Sequence, residues 1–230
     1  MENRLEVFCL DFYGLPGCGK STISHLLADK IRCEANVIEP SYHIDHGYST
    51  VGRFIKKSLK AIGLFVFHPR LFVSIAKVIA SCGYNCLNKD FYIHLLNIAY
   101  KIGVLNAPPK GFVIFDQGLW QSVISLFYRK EDVSSMVSIF NRLNSLISER
   151  VQYVSVYIQV DVETAIERMD TRHAAISRVQ LLNNDDKTDE LKKQLSIMEG
   201  LPSPRIIVNS AKNDINGCVM YLRNQLAGLF

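Results

Sequence analysis

The sequence predicts an α/β three-layer sandwich with a mostly parallel five-stranded sheet, and three observations carry that expectation. The stretch Gly14-Leu15-Pro16-Gly17-Cys18-Gly19-Lys20-Ser21-Thr22 fits the phosphate-binding pattern G-x-x-x-x-G-K-[ST] at every fixed position. It stands between an apolar run, Val7 to Tyr13, and the residues Ile23, Leu26, Leu27 and Ile31, which recur at helical spacing. Further short apolar runs then alternate with helical stretches along the chain, the βαβ arrangement that builds a parallel sheet. With 230 residues, 48% of them hydrophobic, the chain can bury a sizeable core, and one domain over residues 1–230 is the simplest division.

The first strand feeds the P-loop. Gly14, Gly17 and Gly19 let the backbone turn and approach phosphate oxygens, so that the loop becomes a nest of N–H donors continued by the first helical turn. Lys20 is expected to place its charge on the β- and γ-phosphates and Ser21 to ligate the bridging magnesium ion. Cys18 fills a variable position, and Thr22 completes the motif. ATP and Mg²⁺ are therefore the expected cofactors.

Asn36 to Glu39 reads as a second strand that ends at Pro40 and delivers Glu39 to the mouth of the sheet, where ligands of open parallel sheets bind. Helices are expected over Val51 to Ile62, over Pro69 to Ser81 with proline at a first helical position, and over Lys89 to Ile102. The apolar residues Phe65, Phe67, Leu71 and Phe72 lie close to lysines; packing in the core, a homodimer contact and docking on a membrane surface all stay open for them. Charges at Lys60, Arg70 and Lys77 interrupt the stretch well before the ~20 residues of a transmembrane helix.

Phe112 to Asp116 reads as a buried strand ending in an acid, a Walker B-like pattern in which Asp116 can hold magnesium or accept a proton. Trp120 and Gln121 follow, a stacking surface and a bidentate amide suited to a base or sugar ring. Val151 to Val160 forms the fourth strand, and Asp161 caps a helix on which Arg168 and Arg172 share a face. Arg178 follows on a segment that closes with Asn183-Asn184-Asp185-Asp186, which reads as a mobile polar loop. Cations on such a lid can neutralise the charge that grows on a transferred phosphoryl group. Arg205 to Asn209 supplies the fifth strand and Ile215 to Leu226 the last helix.

A formal net charge of +4, from 26 Lys and Arg against 22 Asp and Glu, does not point to nucleic acid as a partner and suits a compact anionic substrate. The N-terminal residues lead straight into the first strand, so a cytoplasmic setting is expected. The six cysteines lack the paired spacing of a zinc site and read as free thiols.

Placed in this way, the residues resemble the thymidylate kinase and deoxynucleoside kinase branch of the P-loop small-molecule kinases. Glu39-Pro40 looks like that branch's Glu-Pro element, and Thr50 to Ile55 is similar to the helix start that borders the acceptor. Asp116 stands where the family has Asp-Arg, and Arg168 with Arg172 matches its lid arginines. The resemblance implies a strand order of 2-3-1-4-5, catalysis with magnesium ATP, and adenine near the lid helix and the loop after Val208. It also implies a helical acceptor-binding region over about residues 41–105 and a lid over about 168–188. The catalytic candidates are Lys20, Glu39, Asp116, Arg168 and Arg172, and the acceptor-side candidates are Glu39, Tyr42, Arg53, Trp120 and Gln121.

One departure bears on the acceptor. Gln117 replaces the arginine that follows the aspartate in relatives, and a neutral amide gives up a charge-assisted bond to a phosphate. The expected activity is transfer of the γ-phosphoryl group of ATP to a nucleoside, nucleoside monophosphate or similar metabolite. A sugar, antibiotic or lipid-linked acceptor is the alternative. A nucleotide-binding switch with little turnover is a third reading: Ser210-Ala211-Lys212 is similar to one guanine-loop element, although Asp116-Gln117-Gly118 is not Asp-x-x-Gly.

Overall fold

Each expected apolar run forms a strand. A computed structural model of the chain describes residues 7–47, 49–84, 86–108, 110–127, 132–171, 178–201 and 206–229. The strands are β1 (Val7–Gly14), β2 (Val37–Ile38), β3 (Gly111–Phe115), β4 (Val151–Gln159) and β5 (Ile206–Asn209). They form one sheet in the order β2-β3-β1-β4-β5, with every pairing parallel, as expected. The central strand, β1, pairs with β4 along its whole length, from Val7 opposite Val151 to Gly14 opposite Ile158.

The helices are α1 (Lys20–Ile31), α2 (Pro40–Gly47), α3 (Thr50–Phe67), α4 (Pro69–Ser81) and α5 (Lys89–Asn106), then α6 (Leu119–Leu126), α7 (Val133–Asn144), α8 (Val162–Asp170), α9 (Asn184–Glu199) and α10 (Ile215–Leu226). Four of these add to the expected set: α2, α6, α7 and α9. The residues Asn183 to Asp186 are not a loop. Asn183 caps α9, its side-chain oxygen accepting from the Asp186 amide at 2.9 Å, and Asp185 and Asp186 stand in the first turn, where the helix dipole favours acids. Arg172 lies outside the described residues, as do the side chain of Arg178 and the first residue of the expected fifth strand, Arg205.

The P-loop strand holds a buried acid that its apolar surroundings conceal. Asp11 is fully buried, accepts from the Trp120 amide at 2.9 Å and from the Tyr153 hydroxyl, and so caps the start of α6. Gly118 makes room for it, since a Cβ there would stand 1.6 Å from Asp11 Oδ1. Lys101 of α5, also buried, donates to the Gly118 carbonyl at 2.9 Å and to the Ser122 hydroxyl. This network fixes the turn from β3 into α6.

Burial pushes the Asp11 carboxyl up to about 6, against the pull of the Trp120 amide, the Tyr153 hydroxyl and the Lys101 charge. The native state therefore binds this proton more tightly than the unfolded chain, whose carboxyl titrates near ~3.9. The stability that comes from this group is complete below pH ~4 and is lost as pH rises through about 6, a change of roughly 3 kcal/mol. Asp11→Asn keeps the acceptor and removes the titration. Urea unfolding across this window should show a flatter pH dependence in the variant by that amount, and identical pH profiles would refute the assignment.

Candidate functional site

Lys20, Ser21, Glu39 and Asp116 lie just beyond the carboxyl ends of β1, β2 and β3, where a parallel sheet places its crevice. Backbone constraint shapes the P-loop first. Gly17 adopts a φ of +88°, and a Cβ on it would lie 2.4 Å from the Ala165 carbonyl oxygen, so the loop can press against α8 only with glycine there. Gly19 caps α1, and the Gly14 amide donates to Gln121 Oε1 at 3.3 Å. Gln121 thus pins the entry of the P-loop through its side-chain oxygen.

Lys20 folds back on its own loop, its ammonium donating to the Gly14 and Leu15 carbonyls, each at 2.8 Å, with Cys18 Sγ at 3.5 Å. Ser21, next in α1, donates its hydroxyl to Asp116 Oδ2 at 2.8 Å. Asp116 is 3% exposed, and its second oxygen, Oδ1, is buried without a hydrogen-bond partner among the described residues. An unpaired carboxylate oxygen so placed is costly unless a cation or water takes it up. A hydroxyl and a hard carboxylate in contact are a donor set that fits magnesium. Thr22 is exposed on the first turn of α1.

Glu39 is 1% exposed and gripped by two cationic or donor groups of α1. His25 Nδ1–H donates to its two oxygens at 3.0 and 3.2 Å, and the Arg32 guanidinium bonds Oε2 while also reaching Asp29. Tyr42 of α2 lies over His25 with ring centroids 3.9 Å apart and planes 11° from parallel. Tyr42 and Glu39, both acceptor-side candidates, are thereby joined through a residue, His25, that sequence reading did not single out. Arg53 is half-buried on α3.

Trp120 corrects its expectation. The indole is 4% exposed, stacks on Phe140 at 3.7 Å with planes 3° apart, and donates Nε1–H to Ser155 Oγ at 3.1 Å. The face that would have met a base is covered by the protein, because α6 turns its apolar side into the core.

On the opposite side of the P-loop, Arg168 donates to Ser210 Oγ at 3.2 Å and to the Ser210 carbonyl at 2.8 Å. The Ser210 hydroxyl in turn donates to the Cys18 carbonyl at 2.9 Å. Asn209 organises the same turn, its side-chain oxygen accepting from the Ala211 and Lys212 amides at 3.1 and 3.0 Å. Arg168, the loop after β5 and the P-loop are thus one connected unit. The signal for Ser210 in the sequence was its place directly after the last strand.

No family model and no curated protein matches the chain. Among solved structures it is similar to deoxyadenosine kinase from M. mycoides with the products dCMP and a flexible dCDP bound, at a TM-score of 0.55 and 16% identity over 96% of this chain and 100% of that one. The same kinase with bound dCTP gives a TM-score of 0.51 at 16% identity, over 96% and 99% of the two chains. With bound dATP the TM-score is 0.50 at 16% identity, over 95% and 99%. At such identity the likeness is one of architecture, and it spans both chains nearly end to end: the chain has a P-loop, nucleoside-kinase-like fold.

Proposed function

We propose that this chain is an ATP-dependent phosphotransferase that moves the γ-phosphoryl group to a hydroxyl of a nucleoside or similar small metabolite. The observation that carries this reading is the Ser21–Asp116 contact beside the P-loop, with Asp116 Oδ1 buried and unpaired. Ser21 and Asp116 would hold the magnesium ion, whose chemistry is to neutralise charge on the β- and γ-phosphates. Lys20 would exchange its loop carbonyls for phosphate oxygens. Glu39 would take the proton of the attacking hydroxyl, oriented by His25 and Arg32. The acceptor would sit among helices α2 to α5, and Tyr42 and Arg53 would line its side. The neighbouring Gln117, exposed and uncharged, favours acceptors without a phosphate, non-nucleotide ones included.

Arg168 is assigned to the nucleotide side, where it secures Ser210 and through it the P-loop; Arg172 would act as the lid cation. Arg168→Ala should therefore raise the KM for ATP by about tenfold, the scale of a lost hydrogen bond to a charged group, with a smaller change in kcat. A drop in kcat with KM unchanged would instead return Arg168 to the lid role.

The test of the whole reading is an ATP-consumption screen over nucleosides, nucleoside monophosphates, sugars and aminoglycoside-like compounds. Turnover that needs an added hydroxyl acceptor is expected. Tight, guanine-selective binding without acceptor-dependent turnover would sink the kinase reading in favour of a switch.

A further inference from the structure

Helix α3 is turned inside out for a helix on the surface of a globular protein. Such helices point their apolar stripe at the core and their charges at water. Along α3, Val51, Phe54, Ile55, Leu59, Ile62, Phe65 and Val66 fall on one stripe, and each is at least half exposed, from 50% at Ile55 to 69% at Val51. The side turned towards α5 carries Lys57, which donates to Asn97 Oδ1 at 3.1 Å, together with the buried Ala61 and Leu64. At its C-terminal end Phe67 is 79% exposed, and the chain then bends by 118° into α4, where Val73 continues the exposed apolar surface. Single exposed apolar residues are ordinary, but a contiguous stripe of this length marks a surface that something covers.

Charge identifies the occupant. Helices α3 and α4 carry Arg53, Lys56, Lys57, Lys60, Arg70 and Lys77, and no Asp or Glu occurs between Asp45 and Asp90. Lys60, Arg70 and Lys77 are exposed. A second copy docked two-fold on the same stripe would bring this cationic surface against itself with no acid on either helix to offset it. An anionic bilayer surface meets both features at once: the apolar side chains enter the acyl boundary while lysine stems lie along it and their ammonium groups reach lipid phosphates. Among the described residues no single helix is long and apolar enough to cross a membrane; α3 and α4 reach that length and apolarity only together, across the 118° bend, and the lysines and arginines along both helices suit a contact that lies on the surface.

We infer that the α3–α4 elbow docks this protein on anionic lipid bilayers. The inference does not depend on the phosphotransferase reading, because it rests on the exposed apolar stripe and on Lys60, Arg70 and Lys77, none of which is assigned to the phosphate, magnesium or acceptor site. The experiment is co-sedimentation of the full chain with vesicles of phosphatidylcholine mixed with phosphatidylglycerol, beside vesicles of phosphatidylcholine alone, across salt concentration, with light scattering of the free protein in parallel. The mixed vesicles should retain the protein, and salt should release it. Phe54→Ser with Ile62→Ser should weaken partitioning by more than about tenfold, and Lys60→Gln with Lys77→Gln by roughly 30-fold at low salt. All four positions are exposed, so melting temperatures should match the parent. Absence of binding to either vesicle would overturn the inference. So would a solution dimer that the Phe54→Ser, Ile62→Ser variant dissociates, since a second copy would then be what covers the stripe.

Discussion

Lys20→Ala is expected to lower phosphoryl transfer by roughly 10²-fold or more, the scale seen when one donor to transition-state charge is removed. The fold should be untouched. Lys20 is half-buried, and its bonds go to the Gly14 and Leu15 carbonyls of its own loop, which water can satisfy once the side chain is gone. None of the core packing passes through it. The loop's shape comes from elsewhere: from the contact of Gly17 with α8, from the Gln121 bond to Gly14 and from the Ser210 bond to Cys18. Steady-state kinetics and a melting curve on the same preparation decide the matter. Full activity with an unchanged melting temperature would remove the phosphate-binding role from the loop.

Glu39→Gln should be at least as damaging to the chemical step, by roughly 10²–10⁴-fold, the usual contribution of a positioned general base. A hydroxyl acceptor must lose a proton as it attacks, whereas a phosphate acceptor is already anionic. Glutamine preserves the outline that His25 and Arg32 grip but cannot take the proton. Magnesium and ATP binding should survive, because their assigned partners, Ser21 and Asp116, make no bond to Glu39. Single-turnover kinetics across magnesium concentration separates the two carboxylates, since Asp116→Asn should shift the metal dependence instead. If Glu39→Gln reacts at a near-normal rate and the product carries a phosphoanhydride, the acceptor is a monophosphate and Glu39 only binds it.

What could be read from the sequence was whatever is local. The P-loop, the acid closing β3 and the cap at Asp161 are each written within a few consecutive residues, and each stands where expected. Helix α6 escaped because it is only 8 residues long: two turns in which Gln121, Ser122 and Ser125 interrupt the apolar residues are too short a window to establish a helical period. Helix α9 escaped for another reason. Its first turn is Asn and Asp, and its buried side includes Lys187 and Gln194, so capping residues read as a loop. The partners of Glu39 were hidden because His25 and Arg32 come from a helix whose approach to β2 is set by tertiary packing. Asp11 was hidden by its neighbours: one acid in an apolar run does not disturb the pattern of a buried strand, and only the fold reveals Gly118 and Tyr153 around it.

The place of β1 at the middle of the sheet governs the order in which the protein can assemble during synthesis. The strand that feeds the P-loop is made first, yet its two neighbours are β3, beginning at Gly111, and β4, beginning at Val151. Every hydrogen bond that β1 makes within the sheet therefore waits on residues far downstream, and closing such long loops precedes any gain from pairing. On the ribosome the first strand stays an unpaired apolar segment until β3 has emerged from the exit tunnel, and its second edge stays open until β4 follows. A nascent chain stalled before Val151 should have no capacity to bind nucleotide, however complete its phosphate-binding motif.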